Sequence, residues 1–363
     1  MTTSPTSMPA VSRPRILVAA PDNDLWNSFL LPQHKERLAA IGEVSWNPLD
    51  REWTREELAA RLPGHEVVMT TWSAQRLDAG LLASAGELRL VAHLGGSVAD
   101  VTSPELYARG IRVITANRAY AQSVADGVIA YIGAAARQIP QYHSRVLSDG
   151  WRTETYRNSG LLDKRVGLVG FGAIPRELVP LLKPFNTTIL AFDRYVTAKE
   201  MASYGVQAAE LEEIFAGCDI ISLHLPRTPE THGLIGQELL DLMSDDAIFI
   251  NTARADVVDE AALCRTLTRR PIRALLDVHH EEPLRADSPL RQAENVILMP
   301  HMAGPTIDRR PVCAEIVLAD LERWTRGEPL IEEIGPVTAS RMTQEGFYWQ
   351  TPLESWPDIP GGN

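Results

Sequence analysis

Cysteine is scarce in this chain of 363 residues, with Cys218, Cys264 and Cys313 far apart in the sequence. Structural zinc sites need closely spaced cysteine and histidine ligands, so this spacing excludes the zinc-finger and zinc-ribbon classes, and we expect no metal site. A sparse, odd set of cysteines is typical of a reducing compartment. We therefore expect three small core side chains in a cytoplasmic protein.

Long apolar runs and an excess of positive charge are also missing. No run reaches the length of a membrane-spanning helix, and residues 1–14 lack the apolar core of a signal peptide, so we interpret them as a disordered leader. A net charge of −12 and a pI near 5.3 argue against a nucleic-acid groove as the main working surface. With 45% apolar and 23% charged residues, the composition favours a soluble globular protein.

What the sequence does contain is an alternation of short apolar runs with helical patterns. Near-continuous apolar strands separated by helices are typical of parallel sheets covered on both faces. Ser103 and Pro104 predict the start of one helix, and Gly110 its end. The predicted strands are 15–20, 66–71, 88–94 and 111–116 in a first group, and 165–170, 188–193, 219–225, 247–252, 273–278 and 295–300 in a second.

The two groups of strands predict two α/β parallel-sheet domains, each Rossmann-like or flavodoxin-like. Residues 120–140 have the length and spacing of a bridging helix, and a helical stretch at about 313–326 would return the chain to the first domain. We predict a discontinuous outer, substrate-binding domain of residues 1–118 plus 305–363 around an inner domain of residues 119–304. An interdomain cleft is then the expected place for a ligand.

A phosphate-binding loop is present except for its third glycine. Gly170 and Gly172 follow a predicted strand and precede a helix, but the pattern G-x-G-x-x-G would need glycine where the chain has Pro175. In such a loop the first glycine makes the tight turn, and the second lets pyrophosphate approach the N–H groups of Ala173 and Ile174. We expect a working but shifted loop, whose helix starts a residue or two late because proline disfavours helical geometry before it.

An acidic residue ends the next strand. Asp193 lies at the spacing typical of a carboxylate on the adenosine ribose hydroxyls. Such a carboxylate accepts a hydrogen bond from the 2′-hydroxyl and repels a 2′-phosphate, which favours NAD over NADP. Arg194 offers a partner for that phosphate, so NADP stays an alternative cofactor.

Three more segments end predicted strands, at the edge where open α/β sheets place ligands. They are INTARADVVDE, LLDVHHEEPL and MPHMAG, starting at residues 250, 275 and 299. With CDIISLHLPRTPETHGLI from residue 218 and ADSPL from residue 286, they make the sequence resemble the D-isomer-specific 2-hydroxyacid dehydrogenases over roughly residues 60–330. The order and spacing of these motifs match that family.

The resemblance implies a catalytic set. Arg254 would bind the substrate, since a guanidinium fork suits the carboxylate and carbonyl of a 2-oxo acid. His301 would be the acid/base that moves a proton as hydride moves at C2. Glu282 would keep His301 charged. The alternatives are a structural histidine and an ion pair of Arg254 with Asp256 or Asp259.

Binding roles follow from the same resemblance. Asp277 matches the position that contacts the nicotinamide carboxamide, and Thr252 joins the expected cofactor-binding residues. In the outer domain, the loop HLGGSV would receive the substrate carboxylate on backbone N–H groups, unless it is a plain tight turn. The donors implied are Leu94, Gly95 and Gly96.

Several residues depart from the family pattern. Ala255 stands where glycine is usual, Asp126 replaces a glutamate in the bridging helix, and His279 with His280 replaces an aromatic or acidic pair. We interpret the two histidines as solvated or as supporting the site, not as metal ligands. Trp72 either lines the substrate pocket or lies in the core. These departures favour an unusual substrate or a partial loss of function.

We therefore expect an NAD-dependent oxidoreductase, interconverting a 2-oxo acid and a D-2-hydroxy acid, that forms a homodimer by family analogy. Glu282 argues against formate, because relatives that oxidise formate carry glutamine there, whereas phosphite remains an alternative substrate. A second hypothesis is a catalytically weak, dinucleotide-sensing binding protein, favoured by Pro175, Ala255 and the tail from about residue 335. That tail is either a loose extension or an arm on a partner subunit.

Overall fold

The computed structural model describes residues 13–152, 157–344 and 346. They fall into two compact units, one drawn from Met1–Tyr120 with Pro305–Asn363 and the other from Ala121–Gly304. Each unit is built on its own parallel sheet. Most of the predicted leader and the end of the predicted tail lie outside the described residues.

The sheet of the first unit has five parallel strands in the order β2-β1-β3-β4-β5, a flavodoxin-like order. The strands are β1 (Arg15–Val18), β2 (Glu43–Trp46), β3 (Val67–Thr70), β4 (Leu90–His93) and β5 (Arg112–Thr115). Its helices are α1 (Asp24–Asn27), α2 (Pro32–Ile41), α3 (Arg55–Arg61), α4 (Ala79–Leu82) and α5 (Pro104–Ala108), joined after the second unit by α13 (Arg310–Thr325) and α14 (Pro336–Ser340). Strands β3 and β4 are buried along their length because apolar clusters cover both faces.

The sheet of the second unit has seven parallel strands in the order β12-β11-β10-β9-β6-β7-β8, a Rossmann-like order extended by one strand. The strands are β6 (Arg165–Val169), β7 (Thr188–Phe192), β8 (Gln207–Ala208), β9 (Ile220–Leu223), β10 (Ile248–Asn251), β11 (Arg273–Leu276) and β12 (Val296–Leu298). The helices between these strands are α8 (Ala173–Leu182), α9 (Ala198–Ser203), α10 (Leu211–Gly217), α11 (Gln237–Leu242) and α12 (Glu260–Arg269). The predicted fold class, two parallel-sheet α/β units, is confirmed.

The bridging helix has the predicted length but begins and ends three residues earlier in the chain. It runs as α6 (Asn117–Arg137), and a second helix, α7 (Ile139–Leu147), follows at once. Gln138 separates the two in the left-handed region, with φ 53°. Pro140 lies in the first turn of α7, where a missing N–H costs little.

Helix punctuation in the first unit follows the prediction. The Ser103 hydroxyl accepts a hydrogen bond from the Leu106 N–H at 3.3 Å and so caps α5. Gly110 follows that helix with φ 73°, a conformation that favours glycine. The predicted helix at 313–326 is present as α13.

The thiols are part of the protein core. Cys218 and Cys313 are buried, and Cys264 is partly buried against the core of the second unit. Burial raises the pKa of Cys218 to about 11 and that of Cys313 to about 12, so both stay protonated and unreactive at neutral pH.

The described part of the chain contains neither a membrane-spanning helix nor a cluster of metal ligands. Across residues 13–152, 157–344 and 346, none of the helices combines the length and apolar character needed to cross a membrane. The same residues contain no cluster of three or more His, Cys, Asp or Glu side chains suited to a metal ion.

Candidate active site

The glycine loop joins β6 to α8. Gly170 has φ 101°, and a Cβ there would lie 2.9 Å from the backbone of His224, so this turn requires glycine. Gly172 is exposed, and a Cβ on it would meet nothing within 4 Å. The N–H groups of Gly172, Ala173 and Ile174 find no acceptor among the described residues, as expected at a helix N-terminus. Open space beside unpaired N–H groups fits a pyrophosphate.

Pro175 does not delay the helix, so the expected late start is wrong. Helix α8 begins at Ala173, directly after Gly172, and Pro175 lies buried in its first turn. The fixed φ of proline suits that turn, and Ile174 accepts helical geometry before it. The three N–H groups that a pyrophosphate needs therefore keep their helical arrangement.

Pro175 removes no hydrogen bond from the helix, because the N–H groups of a first turn have no intrahelical acceptor. The neighbouring Arg176 holds the loop from the side. Its Nε donates to the carbonyl oxygen of Phe171 at 3.4 Å. The guanidinium also lies over the rings of Phe171 and Tyr204, and its Nη2 donates to Glu200 at 2.7 Å. Arg176 thus connects the glycine loop to α9.

Asp193 is fixed at the end of β7 by the loops around it. Its Oδ2 accepts from the Phe171 N–H at 2.7 Å, and its Oδ1 accepts from the N–H groups of Tyr195 at 2.8 Å and Val196 at 3.0 Å. These donors hold a negative charge beside the glycine loop. Arg194 is exposed next to it.

Two buried polar side chains lack hydrogen-bond partners near the same edge of the sheet. His224 follows β9, and neither of its ring nitrogens has a partner among the described residues. Burial lowers the pKa of His224 to about 3, so the ring is neutral. Thr252, which follows β10, also has a buried hydroxyl without a partner within the described residues. Orphaned polar atoms of this kind are rare in folded proteins, and a ligand would satisfy them.

His224 was not predicted. It lies in the run Leu-His-Leu at the end of a predicted strand, where a histidine is easily interpreted as part of the strand. The signal that could have found it is its place at the carboxyl end of β9, one strand from the glycine loop on β6.

His301 and Glu282 form the central pair. Nδ1 of His301 lies 2.8 Å from Oε2 of Glu282, whose other oxygen accepts the His279 N–H at 3.0 Å. Burial opposes ionisation of Glu282, but the hydrogen bonds from His301 and His279 outweigh it and hold the pKa of the carboxyl below its ordinary value. An ionised Glu282 places the Nδ1 hydrogen of His301 in this bond. Nε2 of the partly exposed ring is left for proton transfer.

Asp277 lies behind His301 and is held by hydrogen bonds. Its side chain is fully buried, and its oxygens accept the N–H groups of Met302 at 2.9 Å and Ala303 at 2.8 Å. The Tyr131 hydroxyl donates to it at 3.3 Å. The contact of Asp277 with the nicotinamide carboxamide stays a prediction, and the structure adds a second task for this side chain. Asp277 holds the turn that carries His301, whose own φ is 54°.

Arg254 follows β10, and its Nη1 donates to the carbonyl oxygen of Ala253 at 2.8 Å. The two carboxylates considered as its partners have other contacts. Asp259 caps α12 by accepting the Ala262 N–H at 2.9 Å. Asp256 lies 3.4 Å from Nε of Arg227.

The neighbouring histidines support the backbone. Nε2 of His279 lies 2.9 Å from the carbonyl oxygen of Met299, and Nε2 of His280 lies 3.1 Å from that of Val258. Each ring thus contacts a loop that follows a strand of the second sheet. This agrees with a supporting position for both histidines.

Two of the three residues predicted to donate to the substrate carboxylate remain candidates in the first unit. The Leu94 N–H donates to the Thr70 oxygen at 2.9 Å and its side chain is buried, so Leu94 is not a donor to substrate. The N–H groups of Gly95 and Gly96 have no acceptor in the described part of the chain. A Cβ on Gly95 would lie 2.3 Å from Nε2 of His93, which explains a glycine at this position.

Comparison with known proteins agrees with this geometry. Residues 129–303 match the model of the D-isomer specific 2-hydroxyacid dehydrogenase NAD binding domain. The chain is similar to D-3-phosphoglycerate dehydrogenase of Archaeoglobus fulgidus, at 32% identity over 278 residues that cover 76% of this chain and 53% of the relative. The Mycobacterium tuberculosis (strain H37Rv) enzyme of that name is 34% identical over 275 residues, covering 75% and 51%.

A solved structure is also similar. It is a phosphoglycerate oxidoreductase from Rhizobium etli, at 26% identity and a TM-score of 0.76, with 90% of this chain and 99% of that one covered. Residues 129–303 are therefore a D-isomer specific 2-hydroxyacid dehydrogenase NAD binding domain, and the rest of the chain is similar to proteins that contain one. The chain spans about half the length of the curated relatives named above.

Proposed function

We propose that this protein is an NAD-dependent oxidoreductase that interconverts a 2-oxo acid and a D-2-hydroxy acid. The observation that carries the proposal is the His301–Glu282 pair at 2.8 Å, on the same sheet edge as the glycine loop. Bound nicotinamide would supply or accept the hydride at C2 of the substrate. A binding protein without catalysis has no need of an oriented acid/base pair, so this geometry favours an enzyme over a dinucleotide sensor.

The residues divide the chemical work. Nε2 of His301 donates a proton to the carbonyl oxygen during reduction and takes it back during oxidation. Glu282 holds the ring and stabilises its charged form. The guanidinium of Arg254 orients the acid and polarises its carbonyl. The Gly95 and Gly96 N–H groups receive the carboxylate. The first unit, residues 1–118 plus 305–363, is accordingly the substrate-binding domain, and residues 119–304 bind the cofactor.

The cofactor is held by backbone and side-chain groups of the second unit. Gly170 shapes the turn, and Gly172, Ala173 and Ile174 offer N–H groups to the pyrophosphate. The fixed carboxylate of Asp193 accepts from a ribose hydroxyl and repels a 2′-phosphate, which favours NAD over NADP. Thr252 and His224 would contact the cofactor with polar atoms that have no partner among the described residues. Exposed Arg194 keeps NADP as the weaker alternative.

A cytoplasmic homodimer is part of the proposal. Helix α7 has no buried residue, and it exposes the apolar side chains of Ile139, Val146 and Leu147. Trp151 is also 71% exposed shortly after that helix. Apolar side chains that are exposed to water in a single chain become buried when two chains form a dimer. Light scattering after size-exclusion chromatography should give twice the mass of the chain, and Leu147→Glu should give the monomer.

The test of the activity has two stages. The purified protein is titrated with NADH and NADPH by fluorescence, and absorbance of the reduced nicotinamide is then followed with glyoxylate, pyruvate, phenylpyruvate, 3-phosphohydroxypyruvate and, in the oxidative direction, phosphite. We expect tighter binding of NADH and turnover of at least one 2-oxo acid. Binding without turnover of any acid would favour a dinucleotide sensor. Turnover of phosphite alone would show that the substrate is phosphite and not a 2-oxo acid.

A further inference from the structure

Four aromatic rings gather at the carboxyl edge of the first sheet. Trp72 follows β3 and packs against Trp26 and Phe29, with ring centroids 4.3 Å and 5.8 Å away. The centroid of the Tyr120 ring lies 6.4 Å from that of the same indole, and the two rings are nearly perpendicular. Trp26 and Phe29 are buried, whereas Trp72 is 45% exposed. Of the two interpretations of Trp72, burial in the core is wrong, because nearly half of the side chain is open.

This aromatic cluster (Trp26, Phe29, Trp72 and Tyr120) adjoins the glycine loop of the first unit. A Cβ on Gly96 would lie 3.5 Å from Cγ of Tyr120, so the ring lies against the loop. The bond from the Leu94 N–H to the Thr70 oxygen ties the same loop to the end of β3, two residues before Trp72. The exposed part of the indole and the Gly95 and Gly96 N–H groups, which have no acceptor among the described residues, therefore lie on one edge of one sheet.

Two charged side chains lie beside the cluster, and each has a partner. Arg310 lies over the ring of Phe29 at 5.6 Å and donates to the Ser28 hydroxyl at 3.2 Å. The Glu52 carboxyl accepts a hydrogen bond from the hydroxyl of Thr71, the neighbour of Trp72. A carboxyl group this close to Trp72 disfavours a phosphate group on the substrate.

We propose that this edge selects 2-oxo acids with an aromatic side chain, of which phenylpyruvate is the simplest probe. The ring stacks on the open face of Trp72 while Gly95 and Gly96 hold the carboxylate. Because three aromatic neighbours already fix the indole, stacking costs little conformational entropy. The inference rests on the proposed function, since it assigns the side-chain specificity of the same substrate.

The test compares substrates in wild type and in two Trp72 variants of the full chain with NADH. We expect kcat/KM for phenylpyruvate to exceed that for pyruvate and for 3-phosphohydroxypyruvate by about tenfold or more. Trp72→Leu should lower that preference by about tenfold, mainly through KM, and Trp72→Phe should keep most of it. Trp46→Leu is the matched control, because Trp46 is an exposed tryptophan on β2 of the same unit, and it should change nothing.

Several outcomes would overturn the inference. A wild-type preference for pyruvate or 3-phosphohydroxypyruvate would do so. An equal loss for every acid in Trp72→Leu, with a lower melting temperature, would assign Trp72 a structural role only. Trp72→Phe keeps the test usable if Trp72→Leu does not fold.

Calorimetric binding of the acids separates this inference from the proposed activity. Tighter binding of phenylpyruvate than of pyruvate, lost in Trp72→Leu, supports the inference even if no acid is turned over, and the proposed activity alone would then fail. Turnover of small acids with no preference for the aromatic one would leave the activity standing and overturn the inference.

Discussion

Each unit carries a buried histidine at the carboxyl edge of its sheet beside a glycine loop, but the two are held differently. His93 ends β4, and its Nδ1 lies 3.0 Å from the hydroxyl of Thr70. His224 follows β9 and has no partner for either nitrogen among the described residues. Burial lowers the pKa of His93 to about 4 and that of His224 to about 3. The first histidine has one ring nitrogen paired within its own sheet, whereas among the described residues neither nitrogen of the second has a partner.

The same contrast extends to the rest of each edge. In the first unit, an aromatic cluster and a short glycine loop offer shape and two N–H groups. In the second, titratable and charged side chains follow β7, β10, β11 and β12 in turn. Under the proposed function, substrate selection belongs to the first unit and the chemistry to the second, and the predictions below test the two units separately.

The largest effect is expected on the chemical side. His301→Ala removes the proton donor, so turnover should fall by about 100-fold or more while the dissociation constant of NADH stays close to that of wild type. Steady-state kinetics and NADH fluorescence measure the two quantities. His143→Ala, at an exposed histidine of α7, is the matched control. Parallel loss of binding and turnover would assign His301 a structural role.

Acid should destabilise both units through their buried histidines. A lowered pKa means that the unfolded chain takes up the proton first, so stability is complete above the ordinary histidine pKa and falls as the pH drops below it. The free energy of unfolding should lose about 2 kcal/mol per histidine between roughly pH 6.5 and 5. Urea unfolding at several pH values measures this.

Leucine variants distinguish the two histidines. His224→Leu should remove one share of the pH dependence without costing a hydrogen bond, because its nitrogens have no partner in the described part of the chain. His93→Leu should also lower stability at neutral pH, because the Thr70 hydroxyl loses its partner. An unchanged pH slope in His224→Leu would contradict the assignment.

The two glycine loops should respond differently to a methyl group. Gly170→Ala meets both a φ of 101° and a contact at 2.9 Å, so it should cost about 2 to 3 kcal/mol and weaken NADH binding. Gly95→Ala should lower stability and leave NADH binding unchanged, since its contact is with His93. Gly133→Ala, in open space on α6, should instead stabilise by about 0.5 to 1 kcal/mol. Thermal unfolding and NADH titration compare the three.

The smallest effect on stability and turnover is expected at Tyr131, which contacts Asp277 and not the pair of His301 and Glu282. Tyr131→Phe removes the hydroxyl that donates to Asp277 and should cost about 1 kcal/mol, with kcat lowered only a few-fold and KM unchanged. Asp277 keeps its two N–H donors from Met302 and Ala303, so the turn of His301 stays formed. A loss of turnover as large as that of His301→Ala would show that Tyr131 acts in the chemistry itself.

Much of the fold could be predicted because buried parallel strands have a simple sequence pattern. Strands such as β3 and β10 are continuous apolar runs, and the sequence contains them as such. Strand β2, EVSW, was missed because it is an exposed edge strand with polar residues, and β8 because it has two residues. Their strand character comes from pairing with a neighbour, which no local pattern encodes.

The site was predictable where function follows strand ends, and less so where packing decides. The pairing of His301 with Glu282 was expected from the motif order, and the structure brings the two together. The burial of Asp277 and the occupied N–H of Leu94 were not expected, because both depend on contacts between distant segments. The open face of Trp72 likewise depends on which rings surround it.

Arg176 couples the glycine loop to α9 energetically. Its guanidinium donates to the Phe171 carbonyl oxygen and to Glu200 of α9, so a substitution at Glu200 reaches the loop through Arg176. The costs of Arg176→Ala and Glu200→Gln should therefore not add in the double variant. Changes in the loop and in α9 constrain each other, in evolution as in the laboratory.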